Sequence, residues 1–258
     1  MPDGIRVTEK KLEIISIVLF FIAWKIITSL GIFPPLLLPP PEVAIANFID
    51  MLLSGELLTH ILVSLRRVFT AFLLAAVLGI PWGIAAGRSD VFRGLSGWYV
   101  RAMLCLGGIA WIPLSILWFG LSETARVFVI LMGSLPPVVM NTMEGFRNIN
   151  PNYIKAAKTL GAKPIEIFRT VVLPSSLPYI LSGLRLSMGF GFRVMIAAEL
   201  IAASAGLGYL LEAARAIGKT QEGIMVMLTI VGLEMLIEDL GFKNLERRLL
   251  KWRPEVRV

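Results

Sequence analysis

Long apolar runs alternate with short polar segments along most of this chain. A helix needs about 20 mainly apolar residues to cross a hydrocarbon core of about 30 Å. Six segments meet this requirement, and they are residues 12–33, 68–87, 102–121, 125–143, 177–203 and 223–240. Residues 88–98 are predicted to be a polar connection, and residues 42–53 to be a short external helix at the membrane interface. The pattern predicts an all-α, polytopic membrane protein with six transmembrane helices in a single transmembrane domain, residues 1–258.

The amino-acid composition agrees with a membrane protein, and its single cysteine and single histidine bear on which kinds of site are expected. The 258 residues are 56% apolar and 17% charged, with a mean hydropathy of +0.78, whereas an ordinary soluble domain has about a quarter charged residues. The net charge of +7 does not require nucleic acid, because basic residues also collect on the cytoplasmic side of membrane proteins. Cys105 is the only cysteine and His60 the only histidine, so neither a disulfide nor a metal site is expected.

The distribution of Lys and Arg predicts the orientation. With the N-terminus inside, the internal segments contain 17 of these residues and the external segments 5. The external five are Arg66, Arg67, Arg126, Arg215 and Lys219. Both termini and the polar loop of residues 148–174 are therefore predicted to be cytoplasmic.

This loop, NINPNYIKAAKTLGAKPIEIFRTVVLP, predicts two short helices with a bend between them. Asn150 can cap a helix that begins at Pro151, where a missing N–H is tolerated. Gly161 suits a left-handed C-terminal cap. Pro164 begins a second helix, which Leu173-Pro174 is expected to stop.

The loop resembles the EAA loop of binding-protein-dependent ABC importer permeases. The pattern Glu-Ala-Ala, three residues, Gly, nine residues, Ile-x-Leu-Pro is matched at Ala156, Ala157, Gly161, Leu173 and Pro174. Lys155 stands in place of the usual Glu, and Val171 in place of Ile. The lysine reverses a charge, so the usual acidic contact of this position with the ATPase does not carry over. We expect Lys155 to find an acidic partner there instead.

The resemblance implies the rest of the assembly. It implies a homodimer of permease subunits in the lipid of the cell (inner) membrane, two cytoplasmic ABC ATPase subunits and an extracytoplasmic substrate-binding protein. ATP would act on the partner subunits, so this chain is expected to bind no cofactor and to be no enzyme. Gly218-Lys219-Thr220 resembles the end of a phosphate-binding loop, but Ala213 stands where that motif needs glycine.

From about Leu37 onward the chain looks most like the nitrate/sulfonate/taurine/bicarbonate branch of these permeases. The runs that carry this resemblance are SLRRV at residues 64–68, ILWFGLSE at 116–123, GLR at 183–185 and GLG at 206–208. The resemblance implies import of a small anion. The same branch contains permeases for vitamin precursors, and the sequence alone does not separate these substrates.

Three charged residues in the fifth predicted span, Arg185, Arg193 and Glu199, are candidates for the substrate pathway. Charges at membrane depth usually face protein or a water-filled cavity. Arg193 either attracts an anion or bonds to a carboxylate such as Glu199 or Glu234. For Arg185 we favour a structural contact, and for Glu234, Glu238 and Asp239 ion pairs with the basic tail or with Lys25.

Two other classes of function remain open from the residues alone. A secondary transporter would use Glu199 and Glu234 for ion coupling. A membrane anchor or assembly subunit would transport nothing. The first alternative does not explain the polar loop of residues 148–174, and the second does not explain the helix-breaking prolines and glycines within the predicted spans.

Overall fold

The computed structural model describes the backbone of residues 3–250, and the side chains in this range other than those of residues 3–11, 13, 14 and 202. The predicted tail residues Lys251, Arg253 and Arg257 lie outside the described residues. All regular structure between residues 3 and 250 is helical, which confirms the predicted all-α class.

Twelve α-helices, some joined by 3₁₀ or π turns, make up the described part of the chain. They are α1 (Asp3–Ser29), α2 (Pro41–Leu53), α3 (Glu56–Arg88), α4 (Asp90–Leu106), α5 (Ile112–Phe119), α6 (Glu123–Arg147), α7 (Pro151–Thr159), α8 (Pro164–Ile167), α9 (Leu173–Ala202), α10 (Leu207–Ala216), α11 (Thr220–Leu236) and α12 (Lys243–Leu249). A 3₁₀ turn, Ile109–Trp111, precedes α5, and π-helical turns, Phe168–Val172 and Ile237–Phe242, precede α9 and α12.

Three described helical stretches are long and apolar enough to cross a membrane: Glu56–Arg88, Glu123–Arg147 and the continuous Pro164–Ile201. The pair Asp90–Leu106 and Ile109–Phe119 would form a fourth crossing, although the two parts are bent by 92°. In the first and last predicted spans the structure has the shorter apolar helix Ile15–Ser29 and the 17-residue α11. The multi-pass class is therefore supported, and the count of six remains a prediction.

Two compact units divide the chain. The first contains the residues up to 60 together with residues 210–229. Its core is built on Trp24, Ala44 and Met225, and the indole N–H of Trp24 donates to the Pro39 carbonyl at 3.0 Å. Lys25 pairs with Glu42 of α2 rather than with the acids of the last predicted span. This hydrogen bond holds the pKa of the Glu42 carboxyl below its usual value.

The second unit contains residues 61–209 and the described residues from 230 onward, and α6 is its most buried long helix. Helix α6 packs along α9, and glycines set the spacing of the two helices. A Cβ added at Gly145 would lie 2.7 Å from Tyr179, and one at Gly183 would lie 2.8 Å from Asn141. A separate apolar cluster joins α3, α4 and α6 through Ala75, Val100 and Val138.

The third predicted span, residues 102–121, is wrong as a straight helix, and so is the polar connection at residues 88–98. Helix α4 already begins at Asp90, because the Ser89 side chain accepts the backbone N–H of Phe92 at 3.2 Å and caps it. The helix ends at Gly107, whose φ of +64° is the left-handed conformation. Gly108 then lies so close to Val194 that a Cβ would come within 2.6 Å.

The predicted stop at Leu173-Pro174 is also wrong. The helix that begins at Pro164 continues through the π-helical turn Phe168–Val172 into α9. In this turn the Leu173 N–H bonds to the Phe168 carbonyl, five residues back. The wider hydrogen-bond register lets the helix continue into Pro174, which supplies no N–H of its own. The part of the loop from Pro164 onward and the next long helix are therefore one continuous element.

Candidate functional site

The loop between α6 and α9 has the two predicted short helices and the predicted bend. The Asn150 side chain accepts the N–H of Asn152 at 2.9 Å and caps α7. Helix α7 ends in a Schellman motif, in which Gly161 N–H bonds to Lys158 at 3.0 Å and Ala162 N–H to Ala157 at 3.1 Å. Gly161 has a φ of +81°, as its predicted role requires. We call residues 148–174 the coupling loop.

The coupling loop packs against the helices at Ile167 and Phe168 and exposes apolar side chains on both of its short helices. Ile167 is buried, Phe168 lies 6.2 Å from the Phe146 ring, and the Arg88 guanidinium lies 5.5 Å from the centre of the Phe168 ring. In contrast, Leu160 is 86% exposed, and Tyr153 on α7 and Ile165 on α8 are also exposed. Large apolar side chains on a polar loop are typical of a protein contact surface. The sequence pattern did not single out these three residues.

The other predicted coupling residues lie along the same element. Lys155, Ala156 and Ala157 are on α7, where Lys155 and Ala156 are exposed. Leu173 and Pro174 begin α9, and Leu173 is 37% exposed. These residues lie on α7 and at the start of α9, and none of them is on α8. The exposed ones are accessible from outside this chain.

A charge cluster that sequence reasoning did not identify joins α3, α6 and α9. Its Arg67, Arg126 and Glu199 are buried and its Glu123 is 46% exposed, and we call it the buried charge cluster. The Arg67 guanidinium makes two hydrogen bonds to the Glu123 carboxylate, at 2.6 and 2.7 Å. Its remaining nitrogen, Nη1, donates to Glu199 and to the Ala205 carbonyl, both at 2.6 Å. Arg126 also donates to Glu123, at 2.8 Å. With two arginines and two glutamates, the cluster is electrically neutral.

The Glu199 carboxylate holds together the chain segment that follows α9. It accepts the Ser64 hydroxyl at 2.8 Å and the N–H of Gly208 at 2.9 Å, and the Leu207 N–H donates to Ser64 at 2.8 Å. A Cβ at Gly206 would come within 2.4 Å of the carboxylate. Glu199 therefore caps the start of α10 from a different helix. The carboxylate can approach the backbone this closely because residues 206 and 208 are glycines.

The three pathway candidates have separate surroundings. Glu199 is 1% exposed and takes up its hydrogen bonds inside the cluster, with Arg67 rather than Arg193 as its partner. Arg185 pairs with Glu238, as the structural alternative predicted, and Asp239 pairs with Lys243. Arg193 is exposed on the described surface, and its guanidinium lies 5.5 Å from the centre of the Phe190 ring. The structure brings no two of the three candidates together.

Two short runs of the sequence contain residues of the charge cluster. SLRRV contains Ser64 and Arg67, and ILWFGLSE ends in Glu123. Arg67 is 56 positions from Glu123 and 132 positions from Glu199, and spacing along the chain does not show that such distant residues meet. Both runs therefore indicated only the branch of the family.

The helical fold defines a multi-pass membrane protein with a structured, partly exposed loop between two long apolar helices. Comparison with known proteins gives the family. Residues 79–251 match the family described as "Binding-protein-dependent transport system inner membrane component". The chain belongs to this family of ABC importer permeases, which confirms the resemblance drawn from the coupling loop.

Several relatives align along nearly the whole chain. The taurine transport system permease protein TauC of Escherichia coli is 32% identical over 250 residues, covering 95% of this chain and 90% of the relative. The putative aliphatic sulfonates transport permease protein SsuC of Bacillus subtilis is 34% identical, covering 89% and 83%. The bicarbonate transport system permease protein CmpB of Synechocystis is 29% identical, covering 91% and 86%.

A solved structure supports the fold. An inward-facing structure of the MetNI methionine ABC transporter superposes with a TM-score of 0.64 at 20% sequence identity, covering 75% of this chain and 96% of that chain. At this identity the likeness concerns the fold alone.

Proposed function

We propose that this chain is the membrane permease subunit of an ATP-driven importer of a small anion such as a sulfonate, taurine, nitrate or bicarbonate. The observation that carries the proposal is the coupling loop, which exposes Leu160 and Tyr153 next to the small residues Ala156 and Ala157. The names of relatives such as TauC and CmpB supply the substrate class. A permease for a vitamin precursor is the alternative within the family.

In this proposal two copies of the chain form the pathway, and the coupling loop of each docks on a cytoplasmic ATPase. A binding protein delivers the substrate from the other side. Because the coupling loop is continuous with α9, a movement of α7 and α8 passes directly into a membrane-crossing helix. Lys155 meets an acidic residue of the ATPase. The chain itself performs no covalent chemistry, and both of its termini are cytoplasmic.

For the pathway we retain Arg193 as the candidate that attracts an anion, because its side chain is exposed on this chain. We propose structural roles for the other two: Arg185 through its pair with Glu238, and Glu199 through the buried charge cluster.

Reconstitution tests the proposal. The permease, its partner ATPase and its binding protein are placed in proteoliposomes, and uptake of radiolabelled taurine, ethanesulfonate, nitrate and bicarbonate is measured with and without ATP. We expect ATP-dependent uptake of at least one of these solutes. Arg193→Ala should lower that uptake without loss of the assembled complex, and Arg66→Ala on α3 is the matched control. Uptake driven by an ion gradient without ATP, or no uptake of any of the four, contradicts the proposal.

A further inference from the structure

A cavity of about 400 Å³ lies in the second unit between the ends of α3 and α6 and the first half of α4. This volume is at the lower end of the range of small-molecule pockets, about 300–1,000 Å³. Arg147, which lines it, is the last residue of α6, so the cavity is at the end of the unit that continues into the coupling loop. It is separate from the buried charge cluster and from Arg193.

Positive charge dominates the polar part of the cavity wall. Arg93, Arg101 and Arg147 line it, and Asp90 is the one carboxylate among the described lining residues. Asp90 pairs with Arg93 and is itself 88% exposed. Arg101 donates a long hydrogen bond of 3.3 Å to the Gly97 carbonyl. Two guanidinium groups thus face the cavity with no carboxylate partner among the described ion pairs.

Ser96 also lines the cavity and is 8% exposed. Its hydroxyl oxygen is fully buried, so it does not open onto the cavity, and it has no hydrogen-bond partner among the described atoms. The guanidinium groups of Arg101 and Arg147, which are both exposed, are therefore the donors that the cavity offers to an oxyanion.

Two glycines leave part of the cavity wall without side chains. Gly94 and Gly97 are inside α4, where each glycine costs about 1 kcal/mol relative to alanine. A Cβ at either position would meet nothing within 4 Å, so packing within this chain does not require them. Larger residues would extend into the cavity. These glycines weaken the helix, and a ligand bound in the cavity beside them would explain why they are present.

We infer that this cavity binds a tetrahedral oxyanion, a phosphate or sulfonate group, held by Arg101 and Arg147. The group can come from a free anion or from the headgroup of an anionic lipid, because both present the same charged oxygens to guanidinium groups, and basic pockets between transmembrane helices bind anionic lipid headgroups. The inference does not depend on the proposed transport role. The binding is measured without ATP, without ATPase and without a substrate.

The test uses the full-length permease in phosphatidylcholine nanodiscs at low salt, with radiolabelled inorganic phosphate as the probe. We expect saturable binding that Arg101→Gln and Arg147→Gln each weaken at least about tenfold, the scale of one charge-assisted hydrogen bond. Gly97→Leu should abolish it by filling the cavity, with thermal unfolding showing that the variant is folded. Arg247→Gln is the matched control, since it removes the same charge from α12, away from the cavity.

A second arm distinguishes the source of the anion. The same proteins are placed in nanodiscs of phosphatidylcholine and phosphatidylglycerol, and retained lipid is counted by native mass spectrometry. Phosphatidylglycerol retained by the wild type and the Arg247→Gln control but not by Gly97→Leu identifies a lipid headgroup, and saturable phosphate binding identifies a free anion. Either result supports the site. The inference is overturned if neither ligand binds, or if Arg247→Gln weakens binding as much as Arg101→Gln. It is also overturned if phosphate does not bind and the only effect of Gly97→Leu is to prevent the association of two permease copies.

Discussion

Arg67 is the residue on which the buried charge cluster depends, because its guanidinium contacts both glutamates. Replacing it with methionine removes the guanidinium that donates to the buried Glu199 carboxylate. Removal of one member of a buried ion pair costs about 3–5 kcal/mol. We therefore expect Arg67→Met to lower the thermal unfolding temperature of the detergent-purified permease or to prevent its accumulation.

The control for Arg67 is its neighbour Arg66, which is exposed and acts on the Glu123 carboxylate through charge alone among the described contacts, whereas Arg67 is buried and hydrogen-bonded to both glutamates. Arg66→Met should leave the unfolding temperature close to that of the wild type. The double variant Arg67→Met with Glu199→Gln should regain part of the loss, because the uncompensated buried charge is then removed. If Arg67→Met is as stable as Arg66→Met, the cluster does not hold α3 to α9.

Gly161 is the residue that decides whether the coupling loop keeps its bend. A Cβ there would meet nothing within 4 Å, so the difficulty for a larger residue is the φ of +81° and not space. A β-branched residue in this conformation costs about 1–3 kcal/mol. We expect Gly161→Val to accumulate in the membrane but to lose association with its ATPase, measured by co-purification.

Asparagine provides a matched control at this position, since it tolerates the left-handed conformation better than other residues with a Cβ. Gly161→Asn should retain the ATPase and most of the uptake. Normal ATPase association by Gly161→Val would show that Gly161 does not set the geometry of a docking loop.

At the scale of helices, glycines spaced four residues apart along α3 form its contact with α6. A Cβ at Gly79 would lie 2.9 Å from Val138, and one at Gly83 would lie 2.5 Å from Thr142. Gly83→Leu must therefore push the two helices apart, and we expect a lower unfolding temperature and aggregation on size-exclusion chromatography. Gly232→Leu on α11 is the control, because a Cβ there meets nothing within 4 Å. Equal stability of the two variants would contradict the close packing of α3 on α6.

The sequence was sufficient for features that depend on local chemistry. The Asn150 cap, the start of α7 at Pro151 and the left-handed Gly161 follow from side-chain preferences within a few residues. The failures at Pro174 and at residues 88–98 concern where one helix ends and the next begins. A π-helical turn lets the helix continue into Pro174. Ser89 caps the start of α4 within residues 88–98, which were predicted to be a connection because they are polar.

The charge cluster was beyond sequence reasoning for a different reason. Ser64, Arg67 and Glu123 were noticed as parts of short runs, but their meeting with Glu199 depends on how α3, α6 and α9 pack. The sequence offered Glu199 and Glu234 as candidate partners of Arg193, whereas Glu199 is bonded to Arg67 on α3. The spacing of residues on one helix does not show what a neighbouring helix offers.

For the whole molecule, the predicted orientation rests on the count of Lys and Arg on the two sides of the membrane. Ion pairs occur among the residues of both predicted sides: Arg215 and Lys219 pair with Glu212 and Glu222, and Arg93 and Lys243 pair with Asp90 and Asp239. Acidic residues contribute little to the positive-inside rule, so these pairs leave the orientation a prediction from the count of basic residues.

Cysteine labelling tests this orientation in intact cells. In a Cys105→Ser background, single cysteines replace Lys158 on the coupling loop and Glu56 at the start of α3, both of which are exposed. We expect an impermeant thiol reagent to label Glu56→Cys from outside, and Lys158→Cys only after the membrane is permeabilised, because α3 carries the chain across the membrane between the two sides. Expression without the ATPase prevents a bound partner from hiding Lys158→Cys. Labelling of Lys158→Cys in intact cells would place the coupling loop outside, where no ATP-driven partner could reach it, and would remove the basis of the proposed function.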